Sequence, residues 1–162
     1  MKYSEHFTFQ FKRLSESRLK KVITAQKNAC QQICEDVKQG APVRTGAYRD
    51  SIKTTDPKVT VLTEGKNLQR TRIVTDIYSD CVLVTDNPKW NGFPLARIIE
   101  YGTSSHFIFP RNAHVLRWED ENGVHFAKYV HHPGTAPVPH WKIAMWKNKE
   151  TYTTAIRRAL NE

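Results

Sequence analysis

Histidines, cysteines, serines and carboxylates are the side chains of this 162-residue chain that could carry chemistry. His125, His131 and His132 lie in or just after an expected strand, and His106, His114 and His140 lie in loops nearby. Imidazoles gathered at one place could hold a divalent ion that activates water, which is how a small metal-dependent hydrolase using these C-terminal histidines would work. No His-Glu-x-x-His run and no pair of Cys-x-x-Cys motifs supports that arrangement, so scattered polar histidines are the simpler reading. Ser104 and Ser105 precede His106, but sequence neighbours rarely form a nucleophile and its base, because that geometry needs groups brought together by the fold. Phosphate-cradling Gly-rich loops and Gly-x-Ser-x-Gly elbows do not occur. The acidic cluster Glu119, Asp120 and Glu121 falls at an expected hairpin tip, where solvation explains it. Neither catalytic residues nor metal or cofactor ligands are expected, and the chain does not read as an enzyme.

Cys30 and Cys34 are four apart in a helical pattern and share a face with Ile33 and Val37, so they read as small buried hydrophobes. Three cysteines in all fit a reducing compartment. The net charge is +9, and residues 1–50 hold ten Lys and Arg against five Asp and Glu. Lys12, Arg13, Arg18, Lys20 and Lys21 crowd together there, as a solvated helix face or as a surface for an acidic partner or DNA. Trp90, Trp118, Trp141 and Trp146 could stack on bases, which keeps a basic nucleic-acid-binding module open as an alternative function. Trp141 fits a helix core better, and no helix-turn-helix, RNA-recognition or zinc-finger signature is present. No apolar run approaches the ~18 residues of a membrane span. The first residues lack the apolar stretch of a secretory signal, so use without export is expected.

The length suits a single domain, 1–162. Phe7 to Phe11 alternates as a strand does, within a segment 1–15 that reads as an extended arm or a short edge strand. Ser15 or Ser17 caps a long amphipathic helix over 16–38. Short β-type runs follow at 51–55 and 58–63, then a polar loop at 64–69. The strands richest in β-branched residues are 72–78 and 81–85, with Ser79-Asp80 as the turn between them. Residues 86–92 read as a loop, and 94–102 as a two-turn helix. Residues 107–110 read as an extended apolar loop, 115–118 and 124–130 as a hairpin turning at Asn122-Gly123, and 131–139 as a rigid proline-rich loop. A closing helix spans 139–160. The fold class is α+β: an antiparallel sheet with a long N-terminal helix, a short middle helix and a C-terminal helix packed on it.

Three punctuated segments stand between these elements. In the first, Gly40 can end the helix in a left-handed cap, Pro42 cannot continue it, and Thr45 can cap a short new turn bent at Gly46. The others are Glu100-Tyr101-Gly102-Thr103 and His132-Pro133-Gly134-Thr135. Pro42 to Ile52 resembles the Pro-Val-Asp-Thr-Gly-x-Leu-x-x-Ser-Ile signature of a family of tailed-phage neck proteins. These are the small head–tail connector or tail-completion proteins of the lambdoid "gene product ten" type. Ala96 to Thr103 resembles that family's Ala-x-x-x-Glu-aromatic-Gly-Thr segment, and Ile108 to Gly134 its run from Ile-x-Pro through a hairpin to His-Pro-Gly. The resemblance covers about residues 16–160. Arg44 stands where the family carries an acid, and Tyr48 where it carries leucine.

The resemblance implies structural work in the virion neck, with no catalytic role and no cofactor. It implies a homo-oligomeric ring, hexameric or dodecameric, that joins head and portal to tail. The ring would meet other neck proteins, the portal or adaptor and the tail terminator, after assembly in the host cytoplasm and away from any membrane. Pro42, Thr45, Gly46, Glu100, Tyr101, Gly102, Thr103, Pro133 and Gly134 would shape the sheet edge and contact neighbours. Lys12, Arg13, Arg18, Lys20 and Lys21 would face an acidic partner or packaged DNA.

Overall fold

The computed structural model describes residues 2–12, 14–64, 68–84, 91–111 and 113–162. Arg13, Trp90 and most of the loop expected at 86–92 lie outside the described residues.

Alternation builds the main sheet. β1 (Tyr3–Lys12) pairs antiparallel with β4 (Leu68–Ser79) along its whole length, Tyr3 opposite Ser79 and Lys12 opposite Arg70. The segment read as an arm or a short edge strand is therefore a ten-residue edge strand. The other side of β4 is shared by β2 (Ile52–Thr54) at one end and β3 (Lys58–Glu64) at the other. With a period of two, Phe7, Phe9 and Phe11 share a face with Thr71, Ile73, Thr75 and Ile77 of β4. Thr8, Gln10 and Lys12 point to the opposite, solvated face.

Two long helices cover the inner face. α1 (Glu16–Gly40) starts at Ser15, whose hydroxyl accepts from the Arg18 backbone N–H at 3.4 Å. Val22, Gln26, Cys30, Ile33, Cys34 and Val37 recur every three or four residues and form its buried stripe against β2 and β4. α4 (His140–Asn161) packs beside α1 and reaches β1 through Trp141 against Tyr3 and Tyr152 against Phe7. Each fully buried isoleucine, such as Ile33, Ile73, Ile77 or Ile156, contributes about 1.5–3 kcal/mol by leaving water. Burial pushes the Cys30 thiol up to about 12 and raises that of Cys34 as well, as small core hydrophobes require.

The core has a polar seam. Ile73, Ile156 and Val22 form one apolar cluster, and Ile77, Ile33, Cys30 and Trp141 belong to the other. Gln26 lies one turn from Val22 and one turn from Cys30, and Thr75 lies between Ile73 and Ile77. The Gln26 amide donates to the Thr75 hydroxyl at 3.0 Å and to the Phe7 carbonyl at 3.1 Å, tying α1 to both strands.

Several expectations are corrected. Residues 81–84 form no strand beside β4, and Ser79-Asp80 makes no hairpin, because Tyr3 and Ile52 already occupy both sides of Ser79. The chain turns away instead, and Leu83 donates to the Phe93 carbonyl at 2.8 Å on the way to α3 (Leu95–Tyr101). The apolar stretch after Ser105 is a short strand, β5 (His106–Ile108), paired with β8 (Val130–His132), which takes His131 and His132 out of the expected rigid loop. β6 (Leu116–Asp120) and β7 (Gly123–Ala127) make the hairpin. These two ribbons pair within themselves and not with the main sheet, so residues 103–111 and 113–136 form an arm outside that sheet. The α2 turn (Ala47–Asp50) follows the first punctuated segment.

Candidate functional site

The three punctuated segments, far apart in sequence, converge where α4 begins. Glu100, at the end of α3, is 2% exposed. Its carboxylate accepts the Trp141 N–H at 3.0 Å and the Lys142 N–H at 2.9 Å. The first turn of a helix has N–H groups without intrahelical partners, and Pro139, at the cap position of α4, offers no side-chain acceptor. Glu100 therefore supplies the missing cap from another element, and its charge suits the positive end of the helix dipole.

His140 and Tyr48 complete the junction. His140 Nδ1 lies 2.7 Å from the Val138 carbonyl, which only accepts, so Nδ1 carries a proton. Nε2 is then free to accept the Tyr48 hydroxyl at 2.7 Å, and the Tyr48 oxygen accepts from the Trp141 indole at 2.9 Å. Glu100 Oε2 also stands 3.5 Å from His140 Nδ1, so the buried carboxylate faces the imidazole as well as the helix end. Burial pushes the Tyr48 phenol above its ordinary range.

Close backbone approach holds the same region. Thr103 and Thr135 exchange backbone hydrogen bonds at 3.0 and 3.2 Å, and the Thr103 hydroxyl accepts from the Thr135 N–H at 3.0 Å. Gly102 and Gly134 flank that bridge at φ +68° and +93°, and a Cβ on either would collide with a carbonyl oxygen, of Thr135 or of Thr103 respectively. Val138 N–H closes the base of the arm on the Ile99 carbonyl at 2.8 Å.

Two local expectations fail here for physical reasons. Gly40 ends α1 without a left-handed cap, since it is absent from the positive-φ glycines and Ala41 is extended. Its lack of a side chain matters because the Cβ of His140 would stand 2.9 Å from a Cβ at that site. Thr45 does not cap α2; the cap position is Gly46, left-handed at φ +83°, with no side-chain bond. Pro42 and Thr45 are exposed, as are Tyr101, Thr103 and Pro133. The structure thus gathers Glu100, Gly102, Thr103 and Gly134, and leaves Pro42 and Thr45 on the surface.

The reading of His140 as a loop histidine missed its role, as the apolar stripe of α4 starts only at Trp141. Tyr48 was noted solely as a departure from leucine. That extra hydroxyl is the signal that could have found the network.

The remaining groups are dispersed. His106 stacks on His132, His125 donates from Nε2 to the Asp120 carboxylate at 3.0 Å, and His131 packs on Phe107. Among the described residues, no group of three or more His, Cys, Asp or Glu is placed to hold a metal ion. The basic cluster is exposed but divided. Lys12 ends β1, Lys20 pairs with Glu16 at 2.9 Å, and Lys21 donates to the Glu162 carbonyl at 3.1 Å. Lys20, Lys21 and Arg158 line an open groove of about 920 Å³ between α1 and α4, with Glu150 and Glu162 in the same wall. The arm exposes Phe107, Phe109 and Tyr129 in mutual contact, and Trp118, Val124 and Phe126 on its hairpin. Among the described residues, no helix is long and apolar enough to cross a membrane.

Residues 5–102, more than half of the chain, match the family model described as "Bacteriophage HK97-gp10, putative tail-component". The match takes in β1, ahead of the start of the resemblance at residue 16, and ends at Gly102, so the arm and α4 lie outside it. Curated proteins and solved structures give no match.

Proposed function

Because the chain belongs to the HK97-gp10-like family of phage tail components, we propose that it is a structural protein of the virion neck, forming a ring that joins head and portal to tail. The family match carries this reading. The junction supports it physically: both Glu100 oxygens are committed to the α4 backbone, and Tyr48, His140 and Trp141 are bonded to one another, so these groups act as a rigid clamp. A clamp of this kind fixes the arm, with its exposed aromatic rings, at a set angle to the sheet. Large exposed apolar surface of that sort marks a contact with another protein. Lys12, Arg18, Lys20 and Lys21 would then face an acidic neighbour or DNA in the channel.

Electron microscopy of phage particles made without this protein tests the reading. Heads without tails, or tails with unfinished ends, are expected, and native mass spectrometry of the purified protein with its neighbours should contain a ring. Intact, infectious particles lacking the protein would overturn the proposal.

A further inference from the structure

Two uncovered surfaces of this chain are complementary. The first is the β6–β7 ribbon. A two-stranded ribbon is marginal in water by itself, and this one lies outside the main sheet. Its register sets Phe126 opposite Arg117 and Val124 opposite Glu119, so one face presents Val124 and Phe126, the latter 64% exposed, beside a carboxylate. Asp120 and Glu121 extend the acidic run to the tip. Asp120 is held locally by the Asn122 N–H at 2.8 Å and His125 at 3.0 Å, whereas Glu119 has only Arg117, 3.8 Å away. Glu121 has no ion pair among the described residues.

The second surface is the outer face of α4, opposite the buried Trp141, Ala144, Asn148 and Ile156. Helical spacing sets Ile143, Trp146, Glu150 and Arg157 along the middle of that face and Lys142 and Lys149 along one margin, flanking Trp146. Trp146 is 80% exposed. Lys142, Lys149 and Arg157 form no ion pair among the described residues.

We propose that the β6–β7 ribbon of one copy docks on the outer face of α4 of a second copy. Phe126 and Val124 meet Trp146 and Ile143, while Glu119 and Glu121 meet Lys142 and Lys149 beside them. Charge complementarity selects a second copy as the occupant: in a chain of net charge +9, the acidic run sits on an apolar ribbon, and unpaired cations surround an exposed tryptophan. The two surfaces differ, so the contact is head-to-tail and propagates until rotation closes it. The inference rests on the ring reading only for that closure.

Charge exchange with the full chain at low ionic strength tests it, read by native mass spectrometry and light scattering. E119K/E121K and K142E/K149E are each expected to be folded monomers, checked by circular dichroism, since every substituted side chain is exposed. Mixed, they should reassemble into oligomers in which the two variants alternate, because the basic ribbon of one matches the acidic helix of the other and the unaltered ribbon and helix still match. Both sets in one chain should restore wild-type oligomers. Oligomers that survive both double variants would remove this contact and leave the ring reading standing. Open chains in place of rings would keep the contact and remove the ring. A wild-type protein that stays monomeric, or folded double variants that fail to co-assemble, would overturn the proposal.

Discussion

Replacing Glu100 with alanine should unfasten the start of α4. The carboxylate is buried and accepts two backbone N–H bonds at 3.0 and 2.9 Å. Hydrogen bonds to a charged group contribute roughly 1.5–3 kcal/mol each, and the buried N–H groups left behind carry a desolvation cost. Water entering the new space recovers part of the loss, so about 3–5 kcal/mol is expected for E100A. An ordinary exposed helix cap is worth ~1 kcal/mol, so the size of the effect reports that this cap is buried and charged. For a chain of this length the change corresponds to roughly 6–20 °C in melting temperature. E100Q keeps the volume and one acceptor oxygen but turns an NH2 toward the second N–H, so about 2–3 kcal/mol is expected. Chemical denaturation measures both, and hydrogen exchange should lose protection first at the Trp141 and Lys142 amides. A loss under about 1 kcal/mol for E100A, with an unchanged denaturant slope, would refute the assignment of Glu100 as the cap.

Other substitutions test other parts of the fold. G134A should cost more than about 2 kcal/mol by equilibrium denaturation, because the left-handed backbone and the Thr103 carbonyl both exclude a Cβ. Q26A should lose about 2–4 kcal/mol by leaving the Phe7 carbonyl and Thr75 hydroxyl buried without their donor, whereas a stability equal to wild type would show that the seam is not needed. Asp36 holds α1 to α4 through Asn148 at 2.7 Å and Lys147 at 3.3 Å. The Asn148 hydrogen bond is the main reason its carboxyl titrates below the ordinary range. A lowered folded value means that its contribution is full above about pH 4 and fades as pH falls through the folded pKa. The stability gap between wild type and D36N should therefore be constant near neutrality and close in acid, and a gap that widens in acid would contradict the sign.

The two long helices were legible because three- and four-residue spacing of Val22, Cys30, Ile33 and Val37, and of Trp141, Ala144 and Ile156, needs no tertiary information. β1 was legible from alternation and β4 from its β-branched residues, though the polar Gln69 to Thr71 end of β4 was not, since pairing with β1 and β3 holds it as strand. Residues 81–84 looked like the best of strands and are not one. β-branched composition reports fitness for a sheet, whereas a strand also needs an open edge, and β4 had none left at Ser79.

The candidate site divides in the same way. Sequence by itself determined which residues break the helices and turn the chain, and their order carries the family resemblance. It could not say why Gly40, Gly102 and Gly134 are glycines: the neighbours that forbid a Cβ are His140, Thr135 and Thr103, brought in from distant segments. Nor could it join Tyr48 to His140 and Trp141, or Glu100 to the α4 backbone, because those contacts span about 41 to 93 positions of sequence. Capping is a local rule when the acceptor is the neighbouring residue. Here Pro139 offers none, and only the packing of α3 against α4 delivers a carboxylate to the bare helix end.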